Sequence, residues 1–179
     1  IEFDVFDMNY ASTWSDFFQN FKEKIQRIQD ETMQFIDKSF TDLRSAKGAF
    51  ELQQNFQEFQ TRKEIEDLMV KKYPEIFGQF ADEIQEVHDI FVENMEKPPR
   101  SKNQPEVAGS IYWARSLFHR VSKTWLLFQG SAEKMFTDTL EGQQITRKFH
   151  DLARRMQEFE TKIFTAWESS VDRDTIEFL

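Results

Sequence analysis

Two apolar stripes repeat at steps of four and three residues without a break. The first is Val107, Ile111, Ala114, Phe118, Val121, Trp125 and Phe128; the second is Ile145, Phe149, Leu152, Met156, Phe159, Ile163 and Ala166. Only an α-helix brings residues three and four apart onto one face. Ridges of this spacing interlock in antiparallel bundles and coiled coils. Trp14, Phe18, Phe21, Ile25, Ile28, Thr32 and Phe35 step in the same way, and Met33, Ile36, Phe40 and Leu43 carry that face onward. Phe77, Phe80, Ile84, Val87, Phe91 and Met95 form another stripe, and Ala49, Leu52, Phe56, Phe59 and Ile65, Leu68, Met69 form shorter ones. Strand-like alternation is nearly absent, and 179 residues contain 5 Gly and 4 Pro. The spacing therefore predicts an all-α chain of elongated antiparallel helical bundles. Most of the 20 Phe lie on the stripes and are predicted to form the core, where each contributes roughly 1.5–3 kcal/mol of apolar transfer. The doubled Phe17-Phe18 and Ile76-Phe77 are candidates for a second face that packs on other segments.

The punctuation divides the stripes. Ser12 or Thr13 is predicted to cap the first helix, with Asp16 in its first turn. Gly48 interrupts, and Tyr73-Pro74 is a predicted helix boundary, because a residue before proline is pushed out of the α region. Three of the four prolines fall in Pro98–Pro105, a stiff loop ahead of the helix that Gly130 closes. We expect an N-terminal helical segment over 1–73 and a helical bundle over 74–179 with the proline loop at 98–105. The chain opens at Ile1 without Met and stops inside the apolar run "TIEFL", so we expect a piece of a longer polypeptide.

Chemistry finds little support. Cys is absent, which removes disulfides, thiolate metal sites and thiol nucleophiles. The net charge of −9 is spread over interspersed acids and bases, which disfavours nucleic acid as a partner. No apolar run approaches the ~18 residues that span a bilayer, so no membrane partner is expected. His88, His119 and His150 are evenly spaced, yet none has a second His three or four residues away and no HExxH occurs. No Glu-x-x-His, phosphate loop, nucleophile elbow or complete calcium loop is present. "DRDTIEFL" lacks the glycine and final Glu that a calcium loop needs. The acids sit beside Lys and Arg on polar faces. We expect no enzyme, no cofactor and no metal.

The stretch "PPRSKNQPEVAGSIYWARSLFHRV" at 98–121 resembles the tail region of dynein heavy chains. In that family a helix is introduced by Asn and prolines and continues as Ala-Gly-x-Ile-x-Trp-Ala-Arg-x-Leu. The matching residues are Asn103, Pro105, Ala108, Gly109, Ile111, Trp113, Ala114, Arg115 and Leu117, with Arg120-Val121 beyond them. "WSDFFQNFKEKI", "KGAFELQQNFQEFQTR", "YPEIFGQFADEIQEVHDIF" and "FHDLARRMQEFETKIFTAWE" extend the resemblance, in order, over essentially the whole chain. Glu106 departs from the pattern, since the family commonly has a second proline there. The aromatic-rich wording is closer to axonemal than to cytoplasmic heavy chains.

That resemblance implies a segment of a rod-like tail built from stacked helical bundles, in a motor whose ATPase ring and microtubule-binding stalk lie far C-terminal. The implied partners are adjoining segments of its own heavy chain, other heavy chains, intermediate chains and docking proteins, with the doublet microtubule reached indirectly. The implied setting is the cytoplasm and cytoskeleton, in the axoneme of a cilium or flagellum. Within the motif, Gly109 is expected to admit a neighbouring helix, Trp113 to be buried, and Trp125 to sit at the heart of the longest stripe. The rival reading is a free-standing, spectrin-like or coiled-coil adaptor outside any motor.

Overall fold

A computed structural model describes Met8 and residues 11–56, 63–131 and 139–177. Among the described residues there are five helices and no strand: α1 Ala11–Thr41, α2 Ala46–Phe56, α3 Lys63–Asn94, α4 Glu106–Ser131 and α5 Leu140–Glu177. The chain divides into two compact units, Ile1–Leu43 and Arg44–Leu179. No helix is long and apolar enough to cross a membrane among the described residues.

In the first unit α1 has the predicted four-three spacing, but its stripe is not core. Trp14, Phe18, Phe21 and Ile28 are exposed, while Ile36 and Phe40 on the onward face are buried. The expectation that this stripe is core is therefore corrected: periodicity reports which residues share a face, not whether anything covers it. Ser12 and Thr13 already lie inside α1, so neither is its cap.

The second unit has an aromatic interior built in layers. α3 and α4 run antiparallel, since Phe77 meets Phe128 and Phe91 meets Trp113, and α2 and α5 both pack on that pair. Where α2 joins, the Phe50 ring is the hub, with Phe77, Phe80 and Phe128 centroids at 6.3, 6.0 and 5.9 Å. Farther along, Trp125 of α4 stacks on Phe149 of α5, and Phe118 lies 5.5 Å from the same ring. At the far end Phe91, Trp113 and Phe159 close a three-helix cluster. Tilted and edge-to-face pairs at these separations add to the area they bury.

Two local departures have physical causes. α3 continues through Pro74, although a helix end was expected there and an interior proline costs about 3 kcal/mol. Ile65, Met69 and Tyr73 before it and Ile76, Phe77 and Phe80 after it are all buried, and this continuous apolar face offsets the loss. Ile76-Phe77 is thus core rather than a second face, and a division between residues 73 and 74 would cut α3. On α2 the buried positions are Ala46, Ala49, Phe50, Gln53 and Phe56; Leu52 is half-buried, and Phe59 lies outside the described residues.

The helix ends are satisfied from two directions. Ser45 Oγ accepts from Gly48 N at 3.2 Å, and the Glu83 carboxylate of α3 accepts from Ala46 N at 2.8 Å. Both act on donors that the first turn of α2 leaves without an intrahelical partner. Thr139 does the same for α5, its Oγ1 accepting from Gly142 N at 3.1 Å.

Candidate functional site

The residues that carry the family pattern gather where α3 ends, the proline loop turns, and α4 begins. Asn94 ends α3 by donating from Nδ2 to Ile90 O at 2.9 Å. A turn follows, with Gln104 N donating to Ser101 O at 3.0 Å, and it sets Asn103 at an exposed tip. Pro105 O then accepts from Gly109 N at 2.7 Å, the first helical bond of α4. Proline suits this position, because the N–H it lacks would find no helical acceptor there.

Gly109 is buried, and what lies nearest to it is the loop. A β-carbon there would stand 3.3 Å from Arg100 Cγ and 3.3 Å from Gln104 Cβ. The loop itself folds back over the first turn of α4, and the expected helix contact is corrected to a loop contact. Arg100 completes the clasp by pairing with Glu106 at 3.5 Å. Glu106, which departs from the family pattern, thus supplies both an acid in the first turn of α4 and a partner for the loop.

Beyond the clasp the motif splits between interior and surface. Trp113, Ala114 and Leu117 are buried; Ile111 is half-buried, and Pro105, Ala108 and Arg115 are exposed. The Trp113 indole stacks on Phe91 at 5.7 Å and 18°, and Phe159 meets both rings edge-on at 5.4 and 6.0 Å. Arg115 points outward and forks onto Glu160 of α5, with Nη2–Oε2 at 2.8 Å and Nε–Oε2 at 3.0 Å. This hydrogen-bonded carboxylate raises the guanidinium's pKa. Arg120 reaches Glu86 of α3 at 2.9 Å, so two consecutive turns of α4 are tied to two different neighbours. Trp125, outside the clasp, is buried against Phe149.

An apolar groove of about 700 Å³ lies beside the clasp, lined by Val92, Met95 and Pro98 on one side and Phe159, Ile163 and Ala166 on the other. Its charged rim is made of groups such as Arg155 and Lys162. Arg155 and Arg154 both bind Asp151, and these hydrogen bonds hold the Asp151 carboxyl below its ordinary pKa. Past the groove α5 exposes Phe164, Trp167 and Val171. Among the described residues no three His, Asp or Glu side chains gather as a metal site would need. His88 contacts Asp89 at 3.2 Å, and His150 sits edge-on to Trp125. The arrangement joins helices and offers apolar surface.

Sequence reasoning missed four contributors. Phe50 lies two residues from the chosen Leu52, and the density of apolar residues around it left the face of a short helix ambiguous. Glu160 and Glu83 act across helices on partners distant in sequence, and no periodicity signals such a bond. Gln53, buried among apolar groups, donates from Nε2 to Tyr73 Oη at 2.9 Å.

The fold is all-α, and its second unit is held by aromatic layers and interhelical ion pairs. The family model for the dynein heavy chain, N-terminal region 1, matches residues 1–178. The chain belongs to that family. It is 37% identical over 172 residues to the Dynein-1-alpha heavy chain, flagellar inner arm I1 complex, of Chlamydomonas reinhardtii, covering 96% of this chain and 4% of that one. It is 30% identical over 161 residues to Dynein axonemal heavy chain 5 of Mus musculus, covering 88% of this chain and 3% of that one. An 81-residue stretch, 45% of this chain and 2% of the relative, is 43% identical to Dynein axonemal heavy chain 10 of Homo sapiens. The chain therefore spans only a few per cent of the length of the curated relatives it matches.

Proposed function

We propose that this segment is a non-catalytic structural part of a dynein heavy chain tail. It helps assemble the motor complex by contacting adjoining segments of its own heavy chain, other heavy chains, intermediate chains and docking proteins. Through them it attaches the motor to the doublet microtubule of a ciliary or flagellar axoneme, in the cytoskeletal part of the cytoplasm. The observation that carries this reading is the family match along residues 1–178, joined by relatives named for flagellar inner arms and axonemes. ATP turnover belongs to other parts of such a heavy chain. Aromatic layers linking α2 to α5 and ion pairs from α4 to both neighbours support a load-bearing role, because strain then spreads over many contacts rather than one.

The purified chain tests this directly. Mixed with the separately expressed segment that follows it in its own heavy chain, it should form a stable complex, and it should neither bind nor hydrolyse ATP. A monomer with no affinity for adjoining tail segments or for axonemal chains would instead favour the free-standing adaptor. Nucleotide hydrolysis would overturn both readings.

A further inference from the structure

The exposed stripe of α1 has a register as well as an apolar face. Trp14, Phe21 and Ile28 alternate with Phe18 and Ile25 at steps of four and three, the d and a positions of a heptad. Trp14, Phe18, Phe21 and Ile28 are 52%, 48%, 58% and 60% exposed. A strict 3.5-residue repeat is the seam that a helix offers to another helix rather than to a sheet or a small ligand.

The charges flanking that seam decide what kind of helix fits. Of the flanking e and g positions, Lys22 and Lys24 are basic, and Lys22 Nζ lies 4.5 Å above the Phe18 ring, at the edge of the apolar face. The acid among them, Glu31, is bound by Arg27 at 2.9 Å. The remaining acids, Asp16, Glu23, Asp30 and Asp37, all fall at f, on the side away from the seam. Glu23 and Asp30 there accept hydrogen bonds from Gln19 and Gln26. The helix is thus polarised across its width, with basic flanks to the seam and acids behind it. Charges at e and g select coiled-coil partners and set their orientation. In a parallel pair of this chain, Lys22 and Lys24 would face Phe17 and Gln29, and neither would meet a carboxylate.

We propose that α1 docks an amphipathic helix of another polypeptide, apolar at its a and d positions and acidic at its e and g positions. This names the chemistry of one partner in the assembly, and it rests on the reading of the segment as a protein-binding part of a larger complex. Its test uses only the purified chain, so it can fail while binding to adjoining tail segments persists.

The probes are labelled synthetic helices of about four heptads with Leu at a and d. One carries Glu at every e and g position, and the other carries Lys there. Fluorescence anisotropy with the full chain should show the Glu probe binding at least about tenfold more tightly than the Lys probe at low salt. That ratio should shrink as salt shortens the screening length to about 10 Å near 0.1 M. Lys22→Glu with Lys24→Glu, both surface changes, should reverse the preference without altering the melting curve. Phe21→Ser should weaken the Glu probe. Equal binding of the two probes, or binding of neither, would overturn the proposal. So would a concentration-dependent dimer abolished by Phe21→Ser, which would assign the seam to a second copy.

Discussion

The indole of Trp125 lies flat on the ring of Phe149, with centroids 4.3 Å apart and planes 8° from parallel. This pair fastens α4 to α5 between the other aromatic layers, and Trp125 also meets Phe128 at 5.4 Å. Removing a buried aromatic loses both its transfer energy and the contacts around the cavity left behind. Trp125→Ala should cost about 3–5 kcal/mol, seen as a lower denaturant midpoint. An unchanged midpoint would mean that the stripe is not the core face.

Two glycines separate helix propensity from packing. At Gly78 on α3 an added β-carbon meets nothing within 4 Å, whereas at Gly109 it meets the loop at 3.3 Å. Gly78→Ala should therefore stabilise the chain by about 0.5–1 kcal/mol. Gly109→Ala should give no such gain, because Gln104 Cβ is held by the turn and Pro105 and cannot retreat. Thermal melts of the two variants check the contrast.

Gln53 and Tyr73 test a buried polar pair. Gln53 Nε2 donates to the Tyr73 hydroxyl, while its Oε1 is buried without a partner. Tyr73→Phe should cost about 1–3 kcal/mol by stranding the amide donor. Gln53→Met should cost less, since it also removes the buried Oε1 that has no partner. Denaturant titrations of the two variants should rank them in that order.

Asp151 gives a pH dependence of known sign. Hydrogen bonds from Arg154 and Arg155 lower its pKa in the folded chain. The stability it contributes is therefore present above its unfolded pKa of about 3.9 and is lost as pH falls through the lower folded value. Solvent exposure keeps the effect small. Asp151→Asn should slightly lower the plateau above that pH and flatten the acid limb, so that the two stability–pH curves converge at low pH.

How much of this was legible in the sequence depends on the kind of constraint. The register of α5 is plain from Ile145 to Phe159 because a long amphipathic helix repeats its signal many times. On α4 the buried face includes Trp113 and Leu117 and is turned about one residue from the predicted stripe at its start. There Ile111 and Phe118 fit the spacing as well, and only the positions of α3 and α5 decide. Pro74 misled for a related reason: local preference ended the helix, and burial on both sides of the proline carried it through. The motif located the clasp, but the seat of Arg100 over Gly109 and the Arg115–Glu160 fork depend on chain reversals that spacing does not encode. On α1 the heptad was evident and its exposure was not, since periodicity is the same for a covered seam and an open one.

Assembly and anchoring of an axonemal dynein is the role proposed for this segment. The most direct measurement is arm occupancy on doublet microtubules, by tomography of axonemes whose heavy chain carries Trp113→Ala with Trp125→Ala in this segment. The same preparations should be scored for heavy-chain amount and for the ATPase of the isolated motor region. The account predicts heavy chain with unchanged motor ATPase and a loss of its arms from the doublets. Full arm occupancy with a demonstrably unfolded segment would contradict it.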